Sequence, residues 1–181
     1  MKKFFIIAGM ILAIMMVVQP TYAAKHFTIN VTVSTFSMEL LRIDGTQYME
    51  WPITVPPSTT LTMAAHDAVM ISLTGDLPDN SVDIFTSVDN EDNWNPILPG
   101  MTLLKNDFIL EVSAMNFEPT EPLTVPGFKA ITQDTMEPAM TIPTNGLQEA
   151  AAYLIYKIKV GDDYEQFGAG LDVKIEAIPS P

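Results

Sequence analysis

The chain has 181 residues, no cysteine, and a formal charge of −13 at pH 7, from 22 acidic residues against nine basic ones. That balance argues against nucleic acids and anionic lipid headgroups as partners, because affinity for either depends on Lys and Arg meeting negative charge. The missing thiols remove disulfides as stabilisers, while a hydrophobic content of 48% argues against disorder.

Residues 1–23 have the layout of a signal peptide: basic Met1-Lys2-Lys3, an apolar run from Phe4 to Val18, then Gln19-Pro20-Thr21-Tyr22-Ala23. As a helix the apolar run spans only ~22 Å, short of the ~30 Å hydrocarbon core of a bilayer. Pro20 then interrupts it, and Thr21 and Ala23 place cleavage before Ala24. The expected product is a single exported domain, 24–181, periplasmic or extracellular and without a membrane anchor. Losing Lys2 and Lys3 leaves seven basic residues against 22 acidic ones, a net charge of −15.

In chain order, Phe27, Ile29, Val31 and Val33 alternate with Thr28, Asn30, Thr32 and Ser34, the period-two pattern of a half-buried strand. Leu40–Ile43 and Thr46–Trp51 flank Asp44-Gly45, which predicts a hairpin with a type I′ turn. Pro56-Pro57 interrupts the next strand, and pairing is expected to resume over Thr59–Met63. Ala68–Thr74 reads as a compact strand, Gly75–Asn80 as a turn, and Val82–Val88 as the partner strand. Asp107–Met115 is a further strand. From 116 to 145 the chain is rich in proline, and only Phe128–Ile131 reads as strand. Gln148–Ala151 is consistent with a helical turn, and Tyr153–Val160 and Leu171–Ile178 are the two clearest strands. No helix of ten residues with 3.6-residue periodicity follows the signal.

The expected fold class is therefore all-β: an antiparallel two-sheet sandwich, immunoglobulin-like or jelly-roll-like, of about eight or nine strands behind a signal peptide. An outer-membrane barrel needs longer strands with aromatic girdles, which the proline-rich middle does not supply.

Candidate chemistry is sparse. The mature chain has two histidines and no cysteine, and none of the G-x-S-x-G, P-loop, G-x-G-x-x-G or H-E-x-x-H patterns occurs. His66 precedes Asp67, but neighbours on a strand point to opposite faces, so no catalytic residue and no enzyme activity is expected. Asp89, Glu91, Asp92 and Asn93 place oxygen ligands as Ca²⁺ prefers them. Trp94 and Gly100 stand where an EF-hand needs Gly and Glu, so the simpler reading is a solvated acidic loop. No cofactor is required by this pattern, and calcium is the one it would admit. If cleavage exposes Ala24-Lys25-His26, the amine, two amide nitrogens and the imidazole form a four-nitrogen site for copper. Met63, His66 and Met70 do not share one strand face. Tyr48, Trp51 and Trp94 would stack sugars if exposed and coplanar, but buried anchoring is the commoner fate of such rings. Asn30-Val31-Thr32 matches a glycosylation sequon.

Ala68–Val88, AVMISLTGDLPDNSVDIFTSV, resembles the strand–turn–strand of exported bacterial proteins of the TasA/camelysin type, with Gly75, Asp76, Leu77 and Pro78 at the turn and Thr74 where Asn is usual. Tyr153–Val160 and Leu171–Ile178 look like the closing hairpin of secreted single-domain proteins with that layout. The resemblance covers about a third of the mature chain. It implies an extracellular structural role with strand exchange, and carries over no catalytic residue.

The functional expectation is a secreted, non-enzymatic structural or surface-interaction module able to self-associate through edge strands; Phe27–Val33 is the candidate for strand addition, and the simpler reading of it is an ordinary first strand of the same sandwich. Calcium or copper binding is the alternative, and carbohydrate binding the second. The pattern specifies no small-molecule ligand, no nucleic acid and no membrane partner.

Overall fold

The computed structural model describes residues 36–181 apart from 53–54, 57, 90–94, 134–136 and 162–170. Among the described residues the fold is all-β. It has ten strands, one short 3₁₀ turn at Ala65–Asp67 and no α-helix. The strands are β1 (Phe36–Leu41), β2 (Thr60–Thr62), β3 (Val69–Gly75), β4 (Ser81–Asp89), β5 (Asn95–Pro96), β6 (Asp107–Met115), β7 (Lys129–Ile131), β8 (Met140–Pro143), β9 (Glu149–Val160) and β10 (Asp172–Pro179).

They form two sheets. The larger, curled sheet runs β1-β3-β9-β6-β5, with β2 also on β9 and β7 also on β6, and the smaller runs β10-β4-β8. β9 is the spine of the larger one. Residues Glu149–Leu154 pair with β3, Lys157–Lys159 pair with β2, and Tyr153–Val160 pair with β6. All of these ladders are antiparallel, and only the two-residue β5 lies parallel to its neighbour.

Alternation decides which side chains enter the core. Val69, Ile71 and Leu73 of β3 are buried, as are Val82, Ile84 and Val88 of β4 with the polar Thr86 on the same face, while the alternate positions are partly exposed. Together with Phe108, Leu110, Leu154, Ile158 and Ile175 they form one cluster drawn from both sheets. At ~1.5–3 kcal/mol for each large apolar side chain, this burial is the main stabilising term in a chain without disulfides.

β6 and β9 are buried on their other positions too: Ser113 and Ile155 are fully covered and Met115 nearly so. The proline-rich segment 116–128 lies over that face. Ser113 Oγ donates to the Pro126 carbonyl at 2.9 Å, Ala65 N–H donates to Glu121 Oε1 at 3.0 Å, and Leu123, Val125 and Phe128 pack on the core. Proline cannot feed a central ladder, but a strap across a sheet face needs none.

Several expectations are corrected. β3 and β4 are not partners: the turn after Gly75 carries the chain from the larger sheet to the smaller, so β3 pairs with β1 and β9, and β4 pairs with β10 and β8. β9 and β10 likewise belong to different sheets and form no hairpin. Gln148–Ala151 is not a helical turn, because from Glu149 it is the start of β9, where the ladder to β3 outweighs the helix preference of three alanines. β8 was not anticipated, and Thr46–Trp51 supplies only a bridge from Gln47 to Leu41. The hairpin at Asp44-Gly45 is real but not type I′. Gly45 N–H donates to Arg42 C=O, Arg42 N–H donates to Thr46 C=O, and only Gly45, at φ 81°, is left-handed. That is a three-residue loop with a glycine bulge, and Asp44 holds it by accepting from the Thr46 N–H and hydroxyl. Those bonds lower the Asp44 pKa below the usual carboxylate value.

Candidate functional site

The sheet edges differ in how far their backbone groups are used. In the β10–β4 ladder Ser180 N–H donates to Ser81 C=O at 3.0 Å, one pair beyond Pro179–Val82. Antiparallel pairs alternate between bonded and non-bonded, so Lys174, Glu176 and Ile178 direct their backbone groups to β4. Val173, Ile175 and Ala177 direct theirs away from it, and no described residue bonds to them. Their side chains face the core, with Ile175 buried and Val173 and Ala177 half-buried. Lys174 and Glu176 form a 2.8 Å ion pair on the solvent face, and Ile178 there is 40% exposed.

The β1 edge is partly occupied. Leu40 C=O accepts from Tyr48 N–H and Arg42 N–H donates to Thr46 C=O, so the returning hairpin covers the strand's second half. β8 is only four residues long and ends in Pro143, two devices that blunt an edge. On the opposite flank, 129–143 passes from the larger sheet to the smaller, and Val88 N–H donates to Thr132 C=O. That side is bridged, so among the described residues β10 is the long edge left bare.

The other end of β10 is acidic. Asp172 stands directly opposite Asp89 in the ladder, and both are exposed. Like charges so placed oppose pairing. Of the expected calcium ligands only Asp89 is described, at the end of β4, whereas Glu91, Asp92 and Asn93 lie outside the described residues. Asp172 was missed by sequence reasoning, since no local pattern links residues so distant in the chain. Among the described residues no group of three or more His, Cys, Asp or Glu converges as a metal site. Ala24, Lys25 and His26, the expected copper ligands, fall outside the described residues, as do residues 1–23, Phe27–Val33 and Trp94.

His66 and Asp67 lie on the 3₁₀ turn, not on a strand, so Nε2 and Oδ2 approach to 3.6 Å. The imidazole is 79% exposed, and a pair so open to water is weak. Tyr48 and Trp51 pack against the core cluster, and the Arg42 guanidinium sits 5.2 Å from the Tyr48 ring centre. Both rings are partly exposed. The hydroxyls of Tyr48, Tyr156 and Thr86 are buried with no hydrogen-bond partner among the described residues. Burial pushes the Tyr48 pKa up to about 12, with Arg42 opposing. Burial also raises that of Tyr156, helped by Tyr48 and weakly opposed by Thr86, whose hydroxyl is near without completing a bond.

A shallow depression of about 260 Å³ is lined by Ser58, Leu103, Lys159, Val160 and Gly161. Beside it Leu98, Met101 and Leu104 are at least half exposed on the 97–104 loop. Comparison with known proteins returned no matching family model, curated protein or solved structure.

Proposed function

We propose that this chain is an exported, non-enzymatic structural or surface-interaction module, folded as a sandwich of two antiparallel sheets, that associates with copies of itself through sheet edges. The carrying observation is the outer edge of β10, where Val173, Ile175 and Ala177 present backbone donors and acceptors that no described residue uses. An exposed row of that kind is a template for pairing with another chain. Export is supported by the order of residues 1–23, and the absence of catalysis by the lack of any nucleophile–base motif in the sequence. Light scattering after size exclusion, on protein whose mass confirms an Ala24 terminus, tests the reading. Mass rising with concentration supports it. A strict monomer at millimolar concentration refutes it.

The second reading, calcium binding, is favoured by the Asp89–Asp172 pair beside the 89–93 loop. Calorimetry with Ca²⁺ decides it: a Kd in the micromolar to millimolar range fits such a site, and no heat removes it.

A further inference from the structure

The open edge of β10, we infer, pairs antiparallel with the same edge of a second copy, about a two-fold axis through Ile175, and closes a symmetric dimer. This rests on the self-association proposed above and supplies its partner strand, register and symmetry.

The backbone limits the choices. Val173, Ile175 and Ala177 direct their N–H and C=O groups away from β4, so they must meet their counterparts as bonded pairs, each exchanging two backbone bonds. Core-side residues then oppose core-side residues, and solvent-side residues oppose solvent-side ones. The row also has an end. Pro179 stands at the next outward position, where a paired strand needs an N–H and proline has none.

Charge selects among the registers that remain. With the axis at Ile175, Lys174 lies directly across from Glu176 of the second copy, and Glu176 across from its Lys174. Both residues are on the solvent face, where they already form a 2.8 Å ion pair within one chain, so the charges alternate in sign around the axis. Unlike charges directly opposed in a ladder stabilise it, and like charges work against it. Moving the axis to Lys174 sets that residue against itself and Asp172 against Glu176. Moving it to Glu176 sets acid against acid and brings Pro179 across from Val173, which forfeits bonds. An axis at Val173 restores an attraction, Lys174 to Asp172, but leaves only Asp172–Lys174 of β10 overlapping. An axis at Ala177 puts Pro179 across from Ile175 and leaves Glu176 facing Ile178. The Ile175 register alone joins a long overlap to paired charges.

The apolar face agrees. Ile175 is buried, with Val173 and Ala177 half-buried on the same core side. The proposed register sets Val173 against Ala177 of the second copy on both sides of the axis, so each covers what the other leaves open. The smaller sheet would continue across the axis in the order β8-β4-β10-β10-β4-β8. The acidic ends stay apart. Asp172, opposite Asp89 in its own module, comes to lie across from Ile178 of the second copy. The stretch 172–178 then separates the two Asp172 residues by ~20 Å, well beyond the ~8 Å Debye length at physiological salt. Both copies use the same patch, so the contact is isologous and closes as a dimer, with no propagation.

Charge reversal in the full mature chain tests this. Lys174→Glu sets acid against acid on both sides of the axis, and Glu176→Lys sets base against base. Each alone should raise the dimer Kd about tenfold or more, read by light scattering over a concentration series, with circular dichroism unchanged. An equimolar mixture of the two should regain the wild-type Kd as a heterodimer, because every opposed pair is again unlike. Thiol variants check the register. In a chain without other cysteines, Lys174→Cys mixed with Glu176→Cys should oxidise to the mixed disulfide faster than either links to itself. Non-bonded partners across an antiparallel ladder approach to ~4.5 Å between Cα atoms, within disulfide reach. Wild-type oligomers indifferent to both reversals would overturn the inference while sparing the proposed function, because another surface would be at work. Oligomers growing past the dimer, or self-linking that outruns mixed linking, would do the same. A monomeric wild type would overturn both.

Discussion

β9 and β10 look alike as sequence, two apolar-rich strands near the end of the chain, yet the fold uses them in opposite ways. β9 has neighbours on both flanks and cover on both faces. β10 has β4 on one flank, open backbone on the other, and a charged pair on its outer face. The distinction is written in the local pattern. Leu154-Ile155-Tyr156 is an unbroken run, all three residues buried, whereas β10 alternates Lys174, Ile175, Glu176 and Ala177. Two-sided burial shows as a run and one-sided burial as alternation.

The contrast can be broken from the centre outward. Leu154→Ala empties a fully buried site on the spine and should cost about 3–5 kcal/mol, read from urea unfolding; a loss below about 1 kcal/mol would mean that β9 does not hold the two sheets together. Ser113→Ala removes the hydroxyl that ties the strap to β6 and leaves the Pro126 carbonyl without that donor. A loss of about 1–2 kcal/mol is expected, together with faster hydrogen exchange in β6. Glu111→Gln breaks a 2.7 Å ion pair with Lys157, whose ammonium also lies 4.3 Å from the Phe128 ring centre. The pair is partly exposed, so under about 1 kcal/mol should be lost, and less at high salt.

The smallest effect is alkaline. Burial raises the Tyr48 and Tyr156 hydroxyls in the folded chain, so the native state holds these protons more tightly than the unfolded chain does. Their contribution to stability is complete below pH ~10, the ordinary tyrosine value, and falls as pH rises towards the folded values. Absorbance at 295 nm should show Tyr48 ionising near 12 and Tyr156 only with unfolding. Both ionising near pH ~10 in a folded protein would contradict the packing of that corner.

How much of this was legible follows from range. Strands carried by alternation or by apolar runs, such as β3, β4, β6 and β10, stand where the residues put them, because period two is local information. Partners were not legible. The turn at Gly75–Asn80 looks like a hairpin turn from either side, and only the competition of β9 for β3 and of β10 for β4 sends the two arms to different sheets. β8 was hidden by Pro138 just before it and Pro143 at its end, and the alanines at the start of β9 carry no strand signal of their own. At the candidate acidic site Asp89 was visible as part of a charged loop, while Asp172 became relevant only through the ladder that sets it opposite. The open edge of β10 was not legible either, since an edge is defined by what fails to arrive beside it.

The proline-rich strap has one more consequence. It insulates an apolar face of the larger sheet, at Ile155 and Met115, without contributing a strand to either sheet. A protease that nicked it would leave the ten strands intact and uncover a sticky strip. Proteolytic damage to this protein would then show itself as clumping before any loss of β-structure.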